Sequence, residues 1–259
     1  MIEARDVHFA YRGRPVLRGA TLALASGELV CLLGANGAGK STLLKTMLGL
    51  LKPQHGGVMA DGRPLGQLAR RQLARLVAYV PQVHAAPFPY TVRDVVLMGR
   101  LPATGMFRAP GAADQAAVAA ALGHLGIGHL AGRPYTEVSG GERQLALIAR
   151  ALAQEARLLV MDEPLAGLDY GHQLRLLERL ARLAAEGYGV LMTTHDPDQP
   201  LSSCDRVALL IDGRIAADGS PEQALTPDAI HSLYGVRVDL LRGADGRPLA
   251  FRPAERILA

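Results

Sequence analysis

The chain has 259 residues, 49% of them hydrophobic and 20% charged, which fits a globular protein with one substantial core and leaves no room for two large independent domains. No stretch reads as a membrane-spanning helix, and the N-terminus runs directly into Ile2–Val7 without a basic and then apolar leader, so a cytosolic chain is expected. The formal charge of +4 could favour nucleic acid, but only Lys40, Lys45 and Lys52 of the 28 basic residues are lysines and the arginines are dispersed, so no nucleic-acid partner is expected.

Ile2 to Leu24 alternates apolar and polar residues, with Gly13 and Gly19 as punctuation, which predicts short antiparallel strands and a turn. Tyr11 either stacks on a nucleotide base or is an ordinary strand aromatic, and both readings stay open. Leu29–Leu33 is an apolar run suited to a buried strand, and Leu43, Leu44, Met47, Leu48 and Leu51 recur afterwards at helical spacing. Between them Gly34-Ala35-Asn36-Gly37-Ala38-Gly39-Lys40-Ser41 fits the Gly-x-x-x-x-Gly-Lys-Ser/Thr phosphate loop at every fixed position. Backbone N–H groups converging at a helix N-terminus can cradle an anion there. Lys40 supplies a point charge for the β- and γ-phosphates, Ser41 a hydroxyl for Mg²⁺, and Thr42 reaches the α-phosphate.

Cys31 in the expected buried strand and Cys204 in a late segment show neither pairing nor metal spacing and read as reduced structural thiols. Asp61-Gly62 marks a turn inside a second antiparallel piece. A helix from Arg70 to Leu76 leads into a buried strand, Val77–Val80, whose polar tip Gln82 can present an amide to Mg²⁺ or to an attacking water. Prolines and the aromatics Phe88, Tyr90 and Phe107 then interrupt the pattern, and helical stretches dominate from Gly111 to Leu125 and from Gly141 to Gln154. Residues 84–150 therefore read roughly as an inserted helical lobe. Within it Ser139-Gly140-Gly141 opens a helix, either as an anion site or as a simple N-cap whose capping box is closed by Glu142.

Leu158–Met161 is a second buried strand ending in Asp162-Glu163, where Asp162 can hold Mg²⁺ through water and Glu163 can take a proton from an attacking water. Val190–Thr194 repeats the arrangement and ends at His195. A further strand covers Asp205–Gly213, a short helix Asp228–Tyr234, and a hairpin is expected around Asp245-Gly246.

As a set and in order, these motifs resemble the nucleotide-binding subunit of ATP-binding-cassette (ABC) transporters over nearly the whole chain. The resemblance implies an α/β fold: a P-loop NTPase core with a parallel sheet, an N-terminal antiparallel β-subdomain and an inserted helical subdomain. All of it would form a single ABC ATPase domain over residues 1–259, with a short C-terminal extension from roughly residue 226. It places Tyr11 on adenine, Gly34 to Thr42 around the phosphates of ATP, and Ser41, Gln82 and Asp162 around Mg²⁺. Glu163 becomes the catalytic base, with His195 at the γ-phosphate and Gln82 as its sensor. Ser139, Gly140 and Gly141 would cover ATP held by the second copy of a head-to-tail homodimer, whose two sites Asp169 ties together. Val-Ser-Gly-Gly-Glu departs from the usual Leu-Ser-Gly-Gly-Gln at Val138 and Glu142.

The partners so implied are transmembrane permease subunits at the cytoplasmic face of the inner membrane and, through them, a substrate-binding protein. Val83 to Arg108 would form the groove that meets the permease. The run Phe88 to Arg100, together with Thr194–Gln199 and Leu233–Val236, is similar to importers of iron–siderophore, haem and cobalamin. Molybdate or other metal importers share these features, and a soluble ABC ATPase is the remaining alternative. A GTPase is excluded, because Asn36 is the only asparagine and the guanine-reading Asn-Lys-x-Asp motif cannot occur.

Overall fold

Alternating apolar residues place Ile2, Ala4 and Val7 of β1 (Ile2–Tyr11) and Leu17, Ala20, Leu22 and Leu24 of β2 (Arg14–Leu24) in a buried layer. The computed structural model describes residues 1–82, 89–104 and 109–254, in two units: Met1–Gln67 with Leu180–Ala259, and Leu68–Arg179. Val83 to Phe88 and Gly105 to Arg108, the two ends of the expected permease groove, lie outside the described residues.

In the first unit β1 and β2 are longer than the short strands expected. Gly19 lies inside β2 and marks no turn. The register slips between Ala4 and Val7, and a Cβ on Gly19 would stand 2.8 Å from Asp6 Oδ1, so this glycine accommodates a bulge. With β4 (His55–Ala60) and β5 (Arg63–Pro64) these strands form an antiparallel sheet in the order β2-β1-β4-β5, and Asp61-Gly62 turns between the last two.

The second sheet of this unit is mixed. Its centre is β3 (Leu29–Leu33), all five residues buried, running parallel to β8 (Gly189–Thr194) on one side and to β9 (Arg206–Ile211) on the other, with β10 (Arg214–Gly219) antiparallel on β9. Strands buried on both faces need continuous apolar sequence, which is why β3 and β8 read as runs and not as alternations. The helix α1 (Lys40–Met47) follows β3 through the phosphate loop, and the unit closes with α8 (Pro221–Ala224), α9 (Pro227–Tyr234) and a hairpin of β11 (Val238–Arg242) and β12 (Pro248–Pro253).

The second unit carries α2 (Arg70–Leu76), a parallel pair of β6 (Val77–Val80) and β7 (Leu158–Met161), and the inserted helices α3 (Val92–Leu97), α4 (Leu101–Thr104), α5 (Ala112–His124) and α6 (Gly140–Ala153). The helix α7 (Tyr170–Ala185) begins here and ends in the first unit. Buried Arg100 fastens the helices to one another: Nε donates to Asp114 Oδ1 at 3.1 Å, and Nη1 donates to Ala153 O at 2.7 Å and Glu155 Oε2 at 2.6 Å.

The fold is thus a P-loop NTPase with a mixed core sheet, an antiparallel N-terminal subdomain and an inserted helical region. Among the described residues no helix is long and apolar enough to cross a membrane.

Candidate nucleotide site

The phosphate loop leaves the buried end of β3 and winds into α1, whose N-cap Gly39 has φ 105°. That conformation carries no penalty only for glycine, and no side chain caps the helix, so the first-turn N–H groups are available to an anion. Lys40 is 5% exposed, and its Nζ donates to Gly34 O at 2.7 Å and to Ala35 O at 3.3 Å. A buried ammonium turned onto neutral carbonyls inside an anion cradle is the arrangement expected of a phosphate site, and the residues fit a nucleotide. One side of the loop opens onto a cavity of about 360 Å³, lined by Ala35, Asn36, Gly37 and Ala38 with Val16, Arg18 and Asp212 among others.

The sheet register places His195 beside this loop. Leu33 pairs with Thr194, and Gly34 N–H donates to Thr194 O at 3.4 Å, so the chain leaves β8 at His195 from the same edge at which β3 enters the loop. Tyr11 stands at the end of β1, 45% exposed, with Phe9 packed edge-on at a centroid distance of 4.8 Å.

In the second unit the parallel register pairs Val80 with Met161, so Gln82 and the Asp162-Glu163 pair emerge from neighbouring strand ends. Asp162 N–H donates to Val80 O at 2.9 Å, and its side chain is buried. Gln82 Nε2 donates to Glu163 Oε2 at 3.2 Å. Glu163 has φ 45°, a left-handed conformation that costs a non-glycine residue on the order of 1 kcal/mol and that clusters at functional sites. Burial, and then the Asp162 carboxylate, push the Tyr79 phenol up to about 12.

Ser139 caps α6. Its Oγ accepts from Glu142 N–H at 3.3 Å, while Glu142 Oε2 accepts from Ser139 N–H at 2.8 Å. The capping box therefore forms, and the departure at Glu142 has a structural role: the Ser139 backbone N–H, then its hydroxyl, holds the Glu142 carboxyl below its ordinary range. Asp169 takes the same kind of position before α7. Its Oδ1 accepts from His172 N–H at 2.9 Å, and its Oδ2 lies 2.5 Å from His172 Nδ1. The His172 backbone bond first, then the imidazole, lowers the Asp169 carboxyl.

The same imidazole packs on Gly141, where an added Cβ would come within 2.8 Å of His172 Cδ2. His172 thus bridges the Ser139-Gly140-Gly141 turn and Asp169, and the sequence reading missed it. Its only signal was a histidine three residues after an Asp helix cap.

A chain with this loop, this strand-tip carboxylate pair and this capped Gly-Gly turn also matches the ABC transporter family over residues 17–166. The chain belongs to that family. It is 44% identical over 249 residues to a hemin import ATP-binding protein of Bordetella pertussis, an alignment covering 93% of this chain and 94% of the relative. It is 42% identical over 234 residues to a cobalamin import ATP-binding protein of Halobacterium salinarum, covering 90% of this chain and 58% of that longer protein. Among solved structures, an inward-facing one assigned to the metal-chelate type of ABC transporter superposes with a TM-score of 0.86 at 30% identity, covering 98% of both chains.

Within this ABC chain the first unit gathers Gly34 to Thr42 and His195 at one sheet edge. The second brings Gln82 to Glu163 and, through His172, Gly141 to Asp169. No group of three or more His, Cys, Asp or Glu side chains among the described residues is arranged to hold a metal by itself.

Proposed function

We propose that this ABC protein is the ATP-hydrolysing subunit of an importer that takes up a metal chelate of haem, iron–siderophore or cobalamin type. One observation carries the reading: the tip that sets Gln82 against Glu163 beside buried Asp162 occurs in a chain 44% identical, over 93% of its length, to a hemin import ATP-binding protein. Residues 1–259 are read as a single ABC ATPase domain, with the helical lobe at roughly 84–150 and the C-terminal extension from 226.

In this reading the loop from Gly34 to Thr42 and the Lys40 ammonium hold the phosphates of ATP, and Tyr11 stacks on its adenine. Ser41, Asp162 and Gln82 offer the oxygen ligands that Mg²⁺ prefers, and the bound ion would neutralise phosphate charge. Glu163, held by the Gln82 amide, accepts the proton of the attacking water, and His195 contacts the γ-phosphate. Ser139, Gly140 and Gly141 present a helix N-terminus to ATP on a second copy of the chain, and Asp169 shapes the neighbouring loop. The homodimer would sit peripherally on the cytoplasmic face of the inner membrane, bound to permease subunits that receive the chelate from a binding protein.

Deletion of the chain in its host, followed by growth on haem, an iron–siderophore or cobalamin as sole source, tests the reading. Growth on one chelate is expected to fail and to return with the wild-type chain but not with Lys40→Ala. Undiminished growth and uptake on all three would overturn the chelate assignment.

A further inference from the structure

The residues after His195 form a loop that is braced by its own side chains. Thr194 Oγ1 accepts from Asp196 N–H at 3.1 Å and donates to Gln199 Oε1 at 2.6 Å, and Asp198 N–H donates to Asp196 Oδ1 at 3.0 Å. Two further bonds reach the loop from far along the chain, and both come from the C-terminal extension. Tyr234 Oη donates to His195 O at 2.6 Å, and Phe251 N–H of β12 donates to Asp198 Oδ1 at 2.8 Å.

The first bond falls on the backbone of the residue expected at the γ-phosphate. A hydrogen bond on the His195 carbonyl fixes the peptide plane that follows it, and with it the direction in which the exposed imidazole leaves the chain. The donor is itself rigidly mounted. Tyr234 ends α9, whose first turn is capped by Thr226 Oγ1, accepting from Ala229 N–H at 3.1 Å, and whose last turn closes on Gly235, φ 71°. Ile230 and Leu233 already bury the apolar face of that helix, so docking alone does not call for a phenol hydroxyl on the loop.

We propose that Tyr234 is a positioning residue for His195, and that the C-terminal extension clamps the His195 loop in its working shape. The inference rests on the reading of His195 as the γ-phosphate contact. Burial, and then the Asp196 charge, push the Tyr234 phenol up to about 12, so it stays protonated and able to donate across the physiological range. Glycine or alanine at 234 would remove packing as well, whereas phenylalanine removes the oxygen alone.

The test compares Tyr234→Phe and His195→Ala with the wild-type chain in its membrane complex, measuring kcat, KM for ATP, ATP affinity and thermal midpoint. Losing one neutral hydrogen bond that acts only through the histidine should lower kcat about fivefold in Tyr234→Phe. KM and ATP affinity should stay at wild-type values, and the folded fraction at the assay temperature should be unchanged. His195→Ala should lose more. A wild-type kcat in Tyr234→Phe, or a loss that tracks unfolding or ATP affinity, overturns the clamp while His195→Ala remains impaired. Wild-type hydrolysis by His195→Ala removes the role of the histidine itself, and the clamp with it.

Discussion

Replacing Gly141 by alanine places a methyl carbon 2.8 Å from Cδ2 of His172, 3.3 Å from Cγ and 3.4 Å from Nε2. The first distance is well inside van der Waals contact. Gly141 lies within α6 and outside the left-handed region, so the backbone itself accepts alanine. The ring is therefore what must yield, and it cannot swing without breaking its 2.5 Å contact with Asp169 Oδ2. Overpacking of this kind costs about 1–3 kcal/mol. In the His172→Ala background the obstacle is gone, and the same substitution should be nearly neutral. The coupling energy of the pair is thus expected to be at least about 1 kcal/mol, with His172→Ala rescuing the stability of Gly141→Ala. Urea unfolding midpoints of the wild-type, single and double variants measure it. Additive effects, within about 0.5 kcal/mol, would refute the bridge between the Gly-Gly turn and Asp169.

Arg100→Ala should be the more damaging change to the helical insert. Asp114 is 5% exposed and accepts from Arg100 Nε, and breaking this buried ion pair should cost about 3–5 kcal/mol in urea unfolding. Exposed Glu155 adds at most about 1 kcal/mol to that figure, so Glu155→Ala should be mild. At high pH, Tyr79 and Tyr234, each pushed from 10.0 to about 12, contribute stability that is complete below pH 10 and lost as pH climbs to about 12. Tyr79→Phe should therefore flatten the fall in stability across that window, and an unchanged slope would contradict the assignment.

The phosphate loop, the strand-tip carboxylates and the Ser139 capping box were legible because each is a local pattern, complete within a few residues. Asp61-Gly62 was legible for the same reason, whereas Gly19 was misread as punctuation because its neighbour Asp6 lies on the facing strand. The positioning contacts that the sequence did not disclose act at longer range. His172 meets a glycine 31 positions earlier, and Tyr234 reaches a carbonyl 39 positions back. Cys31 and Cys204, unrelated by spacing, prove to be interacting free thiols, and burial, then its bond to Cys204, pushes the Cys31 thiol up. The left-handed Glu163 had no sequence signal, since glutamate rarely adopts that conformation.

Glu163→Gln tests the central claim most directly. The amide keeps the shape of the carboxylate and can still meet Gln82, but it cannot accept the proton of the attacking water. Steady-state ATPase activity should fall about 10²–10⁴-fold while ATP binding persists, and size-exclusion chromatography with light scattering should show a nucleotide-held dimer that outlasts the wild-type one. Hydrolysis near the wild-type rate would remove Glu163 from the chemistry and contradict the account at its core.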